Sequence, residues 1–316
     1  MMNDLPIQHP VFKALIDKAR ALPPLKVAVV HPCDATSLES VVSAKATGLI
    51  DPILVGPEAK IRTAAHDAQI DLSGFVFENT AHSHAAADLA VEFARAGRVE
   101  ALMKGSLHTD ELMSAVVDAK MGLRTERRIS HCFVMATHGH NHPLIVTDAA
   151  INIAPTLGEK ADIVQNAIDL AHAIGIEDVR VAVLSATETV NPAIPSTIEA
   201  AALCKMAGRG QITGAILDGP LALDNAIDMG AVKQKHIVSP VAGRANVLVV
   251  PDLVSGNILA KTLSFMAHAE AAGIAVGARV PIILTSRADS EAARVASCAV
   301  ATLVARAGRS KGGLHA

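Results

Sequence analysis

Short apolar runs alternate with longer amphipathic stretches along most of the chain. The apolar runs predict strands at 26–31, 51–56, 75–78, 101–104, 179–184, 215–217, 246–250 and 281–284. The amphipathic stretches predict helices at 34–48, 58–67, 83–96, from 111 onward, and at 159–173, 193–206, 221–228, 256–271 and 291–307. Strand–helix–strand units of this length form right-handed parallel crossovers, so the pattern predicts an α/β fold.

The pattern changes between Ile129 and Asp148. Two β-prone runs, 129–137 and 143–148, are joined by the sequence HGHNH, which predicts an antiparallel hairpin within an otherwise parallel arrangement. We place a domain boundary in this hairpin. The first predicted α/β domain comprises residues 1–140 and 288–316, and the second comprises residues 141–287.

Composition supports this fold class and excludes several functions. Of the 316 residues, 51% are hydrophobic, yet the aromatic residues are only six Phe, so the excess is the aliphatic set of buried parallel strands. The absence of Trp and Tyr and a net charge of -3 argue against nucleic-acid binding. The four cysteines are scattered, and no signal peptide or membrane span is evident, so we expect a cytoplasmic protein.

Five loops carry most of the unusual chemistry. Each follows the carboxyl end of a predicted strand and precedes a helix, and they comprise residues 104–110, 185–192, 218–224, 251–257 and 285–290. In doubly wound folds this edge binds ligands, because helix N-termini direct free N–H groups at anions there. The loops therefore favour a phosphate or polyanion site, although Ser, Asp and Gly also begin helices without any function.

The loop at 285–290 concentrates a hydroxyl, a guanidinium and a carboxylate. Ser286, Arg287 and Asp289 follow the strand at 281–284 and precede a helix, which is a typical location for catalytic groups. The alternative is that Ser286 or Asp289 only caps the first turn of that helix.

Other motifs are absent or ambiguous. Neither a P-loop nor a strand-linked G-x-G-x-x-G occurs, and no G-x-S-x-G indicates a serine hydrolase. His138, His140 and His142 alternate in the hairpin tip, where we expect an exposed turn rather than a metal site because carboxylates do not support them. His108 could contact a phosphate, transfer a proton or be structural.

Taken together, the loop sequences resemble the phosphate acetyl/butyryltransferase family. The phrases that carry the resemblance are MKGSLHTDELM, TDAAINIAP, VAVLSATETVNPAIPSTIEAAAL, DGPLALDNAI, VLVVPDLVSGNILAKTL and PIILTSRADS. They occur in order over nearly the whole chain. TDAAINIAP and TVNPAIPSTIEAA are more similar to the butyryl branch than to the acetyl branch.

The resemblance implies reversible transfer of a short acyl group between coenzyme A and inorganic phosphate, by direct thiol attack in a ternary complex. It implies a homodimer of two-domain α/β subunits with mostly parallel sheets and an interdomain active-site cleft, as in isocitrate and isopropylmalate dehydrogenases. Coenzyme A would be a substrate, with no permanently bound cofactor and no metal. Partners would be acyl-CoA, phosphate and acyl phosphate, with no nucleic acid or membrane.

The resemblance also implies site residues. The family's Ser-Arg pair falls on Ser286 and Arg287, which would stabilise the tetrahedral intermediate and hold phosphate. The family's catalytic Asp would fall on Ala293, so Asp289 is our first candidate for the general base and Asp252 the second. The expected substrate-binding residues are Lys104, Ser106, His108, Thr109, Asp148, Asp252, Ser255, Gly256 and Asn257.

Two other functions stay open from the sequence. One is a nicotinamide- or metal-dependent decarboxylating dehydrogenase of similar architecture, for which Asp218, Asp224 and Asp252 could supply a carboxylate cluster. The other is a non-catalytic protein that binds acyl-CoA or phosphate, which the alanine at position 293 keeps possible.

Overall fold

The structure is a computed structural model that describes residues 7–137, 142–286 and 289–312. The chain divides into two compact units, of which unit 1 comprises Met1–Arg127 and Ala272–Ala316 and unit 2 comprises Arg128–Ala271. The boundaries we expected after residues 140 and 287 lie instead at 127 and 271. A boundary at 140 would separate the two strands of a hairpin, and one at 287 would detach a strand from its neighbours in unit 1.

The described residues contain strands β1 (Leu25–Val30), β2 (Ile50–Gly56), β3 (Val76–Asn79), β4 (Ala101–Lys104), β5 (Ser130–Ala136), β6 (Leu144–Thr147), β7 (Arg180–Leu184), β8 (Ile216–Leu221), β9 (Val247–Val249), β10 (Glu270–Val276) and β11 (Ile282–Ile283). The helices are α1 (Pro10–Arg20), α2 (Ala35–Ala46), α3 (Glu58–Asp67), α4 (Ser83–Arg95), α5 (Thr109–Val116), α6 (Leu157–Ala173), α7 (Pro195–Ala207), α8 (Leu223–Ile227), α9 (Met229–Gln234), α10 (Leu253–Phe265) and α11 (Glu291–Gly312).

The strands of unit 1 lie in the order β3-β2-β1-β4-β11-β10. All neighbours are parallel except β10, which is antiparallel to β11. Every residue of β1 except Lys26 is buried, as expected for a central strand that is covered by helices on both faces. The predicted parallel crossovers are therefore confirmed in this unit.

The strands of unit 2 lie in the order β5-β6-β9-β7-β8. Strands β5 and β6 form the predicted antiparallel hairpin, and the pairs β6–β9, β9–β7 and β7–β8 are parallel. Side chains from β5 to β9 share one buried core with residues of α8, α9 and the end of α10. The hairpin tip at 138–141 lies outside the described residues.

Two predicted segments differ from the structure. The helix predicted at 256–271 is wrong at both ends, because α10 begins at Leu253 and the run that ends in Gly273-Ile274-Ala275-Val276 forms the buried strand β10. The strand predicted at 215–217 continues to Leu221, so part of the predicted loop at 218–224 is extended backbone. Among the described helices, none is both long and apolar enough to cross a membrane.

Candidate active site

Three neighbouring strands of unit 1 end at the same edge of the sheet. Strand β4 lies between β1 and β11 and is parallel to both, with Val30 beside Lys104 and Ile283 beside Met103. The residues that follow these strands therefore lie side by side. They are His31 after β1, the Ser106 loop (residues 104–110) after β4, and the Ser286 loop (residues 285–290) after β11.

Ser106 joins the Ser106 loop to the end of β1. Its hydroxyl donates to the carbonyl oxygen of His31 at 2.8 Å, accepts from the Cys33 N–H at 3.2 Å, and lies 3.2 Å from Nδ1 of His31. A Cβ at Gly105 would lie 2.5 Å from the carbonyl oxygen of Val30, so only glycine allows the loop to approach β1 this closely. The loop is thereby fixed against the neighbouring strand.

The other predicted residues of the Ser106 loop differ in exposure. Lys104 is buried, with 6% exposure, and its Nζ donates to the carbonyl oxygen of Gly105 at 3.3 Å. His108 is exposed and precedes α5 as its N-cap residue without a side-chain capping bond, and Thr109 is the first residue of that helix. The imidazole of His108 is thus not used to cap α5, the helix that it begins.

The Ser286 loop is closed by its own carboxylate. Asp289 Oδ2 accepts a hydrogen bond from the backbone N–H of Ser286 at 2.6 Å, and the Asp289 N–H donates to the Ser286 carbonyl oxygen at 3.2 Å. The first turn of α11 is capped instead by Ser290, whose hydroxyl accepts from the Ala293 N–H at 3.2 Å. Neither Ser286 nor Asp289 therefore caps α11 through its side chain, in contrast to the alternative interpretation of this loop. Arg287 lies outside the described residues.

The side chain of Arg294 donates hydrogen bonds to two carbonyl oxygens of the Ser286 loop. It is buried, with 3% exposure, and its Nη2 donates to the Ser286 carbonyl oxygen at 3.0 Å while its Nε donates to the Asp289 carbonyl oxygen at 3.4 Å. The Ser286 side chain is exposed. Sequence analysis missed Arg294, because an arginine within a helix has no local signal for binding a loop eight residues earlier.

In unit 2, Asp148 follows β6 and organises the loop after it. The residue is buried, with 3% exposure. Its Oδ1 accepts from the N–H groups of Ala150 and Ile151 at 2.9 and 3.0 Å, and its Oδ2 accepts from the backbone and side chain of Asn152 at 3.2 and 2.6 Å. A carboxylate has about four acceptor positions, so its own loop occupies all of them.

The other predicted residues of unit 2 lie at the N-terminus of α10. Asp252 is the N-cap residue, and its Oδ1 accepts from the N–H and the hydroxyl of Ser255 at 2.8 and 2.9 Å. A Cβ at Gly256 would lie 2.7 Å from the carbonyl oxygen of Asp148, and Asn257 Nδ2 donates to the Ala149 carbonyl oxygen at 3.4 Å. The loop after β6 and the start of α10 are therefore in direct contact, as both follow neighbouring parallel strands.

The loops after β7 and β8 are held mainly by structural contacts. Glu188 accepts from the side chain of the fully buried Asn225, and Lys235 lies 3.6 Å from Glu188 and 3.1 Å from Asp224. No group of three or more His, Cys, Asp or Glu side chains in the described part of the chain could hold a metal ion. The aspartates Asp218, Asp224 and Asp252 thus do not form a metal-binding cluster there.

The four cysteines are free thiols, and burial suppresses their reactivity. Burial raises the pKa of Cys33 to about 11 and the pKa values of Cys132, Cys204 and Cys298 to about 12. The thiolate is the nucleophilic form of cysteine, so these side chains are poor nucleophiles at neutral pH. An acyl-enzyme thioester on one of these cysteines is therefore disfavoured.

The family model described as phosphate acetyl/butaryl transferase matches residues 84–302 of this chain. A phosphate acetyltransferase from Rhizobium meliloti is 61% identical over 300 residues, which cover 95% of each chain. A phosphate butyryltransferase from Clostridium acetobutylicum is 41% identical over 294 residues, which cover 93% of this chain and 98% of the relative.

Among solved structures, a branched-chain phosphotransacylase from Enterococcus faecalis V583 matches with a TM-score of 0.79 and 28% identity. The match covers 89% of this chain and 99% of that chain. The predicted α/β fold class is confirmed by this likeness and by the strand order within each unit.

Proposed function

The chain belongs to the phosphate acetyl/butyryltransferase family, and we propose that it reversibly transfers a short acyl group between coenzyme A and inorganic phosphate. The family resemblance inferred from the sequence is thereby confirmed. The observation that carries the proposal is that similarity to acyltransferases extends over nearly the whole chain, including the Ser106 and Ser286 loops at one edge of unit 1.

The acyl group is proposed to be acetyl. The relative named as an acetyltransferase shares 61% identity with this chain and the one named as a butyryltransferase shares 41%, although two phrases of the sequence favour the butyryl branch. We expect a higher kcat/KM for acetyl-CoA than for butyryl-CoA. Equal or reversed values would contradict the acetyl assignment without affecting the reaction class.

We propose that transfer is direct and that Ser286 stabilises the charge on the acyl carbonyl oxygen. A fixed hydroxyl or N–H donor at such an oxygen contributes a few kcal/mol to the transition state, about 2.7 to 4 in a well-studied example. Ser286 is suited to this role because Asp289 and Arg294 fix its backbone while its side chain is exposed. The high pKa values of the four cysteines favour direct transfer over a cysteine-bound acyl intermediate.

Phosphate binding is proposed for the basic groups and helix N-termini of the predicted set. In unit 1, Arg287 would supply a forked donor and Lys104 a positive charge. In unit 2, Gly256 and Asn257 would supply N–H groups at the start of α10. Ser106, His108, Thr109, Asp252 and Ser255 complete the proposed substrate-binding set, and Asp148 would contribute by holding the loop after β6 in place. The use of Asp289 as general base stays a prediction, and its Oδ1 has no hydrogen-bond partner among the described contacts of that residue.

The reaction is tested by following free thiol released from acetyl-CoA and butyryl-CoA when phosphate is added, without metal or nicotinamide. We expect release that depends on phosphate. If neither acyl-CoA releases thiol, the acyltransferase proposal is wrong for this chain. Retained CoA binding in that case would favour the non-catalytic alternative.

We also propose that two copies of the chain form a homodimer through α10. The face of this helix opposite the buried Ala260 exposes Val254 and Ile258, each at 61%, and Phe265 at 65%. Such a stripe of large apolar side chains along one helix face is typical of a subunit interface. Light scattering should give the mass of a dimer, and Ile258→Glu should lower it to that of a monomer. A wild-type monomer would contradict the proposal.

The cellular location is proposed to be the cytoplasm, where coenzyme A would be available as the substrate. Four free cysteines suit a reducing compartment.

A further inference from the structure

His31 has a backbone conformation that few residues other than glycine adopt. Its φ is 54°, in the left-handed region, immediately after β1. The strand on one side fixes it, because its N–H donates to the Val55 carbonyl oxygen at 2.7 Å. Its own carbonyl oxygen accepts from the N–H of Ser106 at 3.0 Å. Strained residues that the surroundings hold in place are concentrated at functional sites, so the role of this side chain is of interest.

The imidazole of His31 lies against the Ser106 hydroxyl. The hydroxyl oxygen is 2.8 Å from the His31 carbonyl oxygen, to which it donates, and 3.2 Å from His31 Nδ1. A hydroxyl whose hydrogen points at the carbonyl oxygen can only accept from Nδ1, so these contacts favour the neutral imidazole with its hydrogen on Nδ1. In that tautomer Nε2 carries the lone pair. Among the described residues, Nε2 has no hydrogen-bond partner.

The surroundings keep His31 neutral at physiological pH. Burial, followed by the positive charge of Lys60 on α3, lowers the pKa of His31 below its ordinary value of 6.5. Glu111 on α5 and Asp34 at the start of α2 act in the opposite direction with smaller effects. The Cys33 thiol nearby has a pKa of about 11 and adds no charge.

The carboxylates of the predicted site already have structural partners. Asp148 has four donors in its own loop, Asp252 Oδ1 accepts two hydrogen bonds from Ser255, and Asp289 Oδ2 accepts from the N–H of Ser286. His31 Nε2 accepts no hydrogen bond among the described residues, and His31 lies at the same sheet edge as the Ser286 loop, where Asp289 Oδ1 is the other acceptor without a described partner. Strands β1 and β11 are each next to β4, so the two are separated by about 10 Å. A thiol bound at the carboxyl end of β4 would lie between the residues that follow β1 and β11.

We propose that His31 is a proton acceptor for the coenzyme A thiol, an inference that rests on the proposed function. In the direction of acyl-CoA formation, the S–H proton moves to Nε2 while sulfur forms a bond to the acyl carbon. The bond from that carbon to the phosphate oxygen then breaks, and phosphate leaves with the electron pair. The proton returns from Nε2 to a phosphate oxygen or to water. In the reverse direction, Nε2–H protonates the departing thiolate.

The test substitutes His31→Asn in the full-length chain. Asn tolerates the left-handed backbone, and its amide can still donate to Ser106, but it cannot accept the proton. We expect kcat at pH 7 to fall by about 100-fold or more, while the KM for CoA changes by less than about threefold. His236→Asn is the matched control, because His236 also has a positive φ, of 53°, and lies in unit 2. It should leave kcat unchanged.

The pH profile distinguishes proton transfer from a structural role. In the direction of acyl-CoA formation His31 must be neutral to accept the proton. Because the pKa of His31 is lowered, wild-type kcat for this direction should fall with decreasing pH only below 6.5, and this decrease should be absent from His31→Asn. Above pH about 8.5 the thiol ionises without help, so the difference between wild type and variant should narrow. Ser106→Ala provides a second test, because it keeps the imidazole but no longer fixes its tautomer. It should cause a smaller loss that also narrows at high pH.

Two results would overturn the assignment in distinguishable ways. An active wild-type chain whose His31→Asn and Ser106→Ala variants keep their kcat, or lose it by the same factor at every pH, would overturn the role of His31 alone. A wild-type chain without phosphate-dependent thiol release would overturn the proposed function, and the role of His31 with it. If His31→Asn does not fold, the Ser106→Ala profile decides.

Discussion

The buried carboxylate of Asp148 gives the sharpest prediction. Two N–H groups donate to each of its oxygens, and it lies in a loop that the family resemblance assigns to substrate binding. In Asp148→Asn, one oxygen becomes an NH₂ group. Whichever way the amide is oriented, that NH₂ group faces two N–H donors and can accept from neither. The substitution therefore removes two hydrogen bonds to a charged acceptor and leaves two buried donors without a partner.

The expected cost follows from these contacts. Hydrogen bonds to a charged group contribute about 1.5 to 3 kcal/mol each, so losing two of them costs about 3 to 6 kcal/mol. A typical folded domain is stable by only about 5 to 15 kcal/mol, so the variant should lose a large part of the stability of unit 2. The neighbouring start of α10 should also loosen, because Gly256 packs against the Asp148 carbonyl oxygen.

Urea denaturation followed by circular dichroism measures this cost. Asp118→Asn is the matched control, because Asp118 also accepts from two backbone N–H groups through one oxygen but is exposed. The amide oxygen of that variant keeps both bonds, and we expect little change in its unfolding midpoint. If Asp148→Asn unfolds at the wild-type urea concentration and only raises the KM for a substrate, Asp148 is a ligand residue and our structural interpretation is wrong.

Three further predictions concern the elements around the site. Thr156→Ala removes a capping box and should cost about 1 kcal/mol in urea denaturation at pH 7. Hydrogen bonds from the backbone and the side chain of Thr156 lower the folded-state pKa of Glu159 below its ordinary value of 4.5, so the contribution of this carboxylate is present above pH 4.5 and is lost as the pH falls through the lowered value. The difference between wild type and Thr156→Ala should then shrink without disappearing, because the Thr156 hydroxyl still accepts from the Glu159 N–H. Gly256→Ala places a Cβ 2.7 Å from a backbone carbonyl oxygen and should lower the melting temperature measured by calorimetry; an unchanged value would contradict the close packing. Arg294→Met frees the Ser286 carbonyl oxygen and should lower kcat by up to about 100-fold with little change in the Kd of CoA measured by titration calorimetry; a wild-type kcat would exclude a positioning role.

The sequence predicted most elements because their signals are local. Strand β4 and helix α3 have the predicted bounds, and the antiparallel hairpin was evident from two β-prone runs around a short polar turn. The loops with unusual chemistry were also identifiable, since carboxyl ends of parallel strands collect polar residues. Local signals could not predict that β1, β4 and β11 lie side by side, because Ile282 pairs with Leu102, which is far from it in the chain.

The missed features depend on tertiary contacts. The predicted helix extends to Ala271 because Ala is a good helix former, but Glu270 and Ala271 begin β10, which pairs with β11. Arg294 has its partners in a preceding loop, and His31 has its partner in a loop after a distant strand. The structural use of Asp148 was likewise hidden, because a carboxylate in a loop sequence does not reveal whether it faces ligand or its own backbone.

The discontinuity of unit 1 affects how the protein is made. Unit 2 is one continuous segment that can fold as soon as residue 271 has left the ribosome. Unit 1 still lacks an inner strand at that point, because β11 comes later in the chain and must enter between β4 and β10. During synthesis one edge of β4 therefore stays unpaired after the first 127 residues have emerged. Its partner, β11, lies more than 150 residues later in the chain. The strand that completes this sheet also brings in Ser286, so no incomplete chain has the proposed catalytic serine in place.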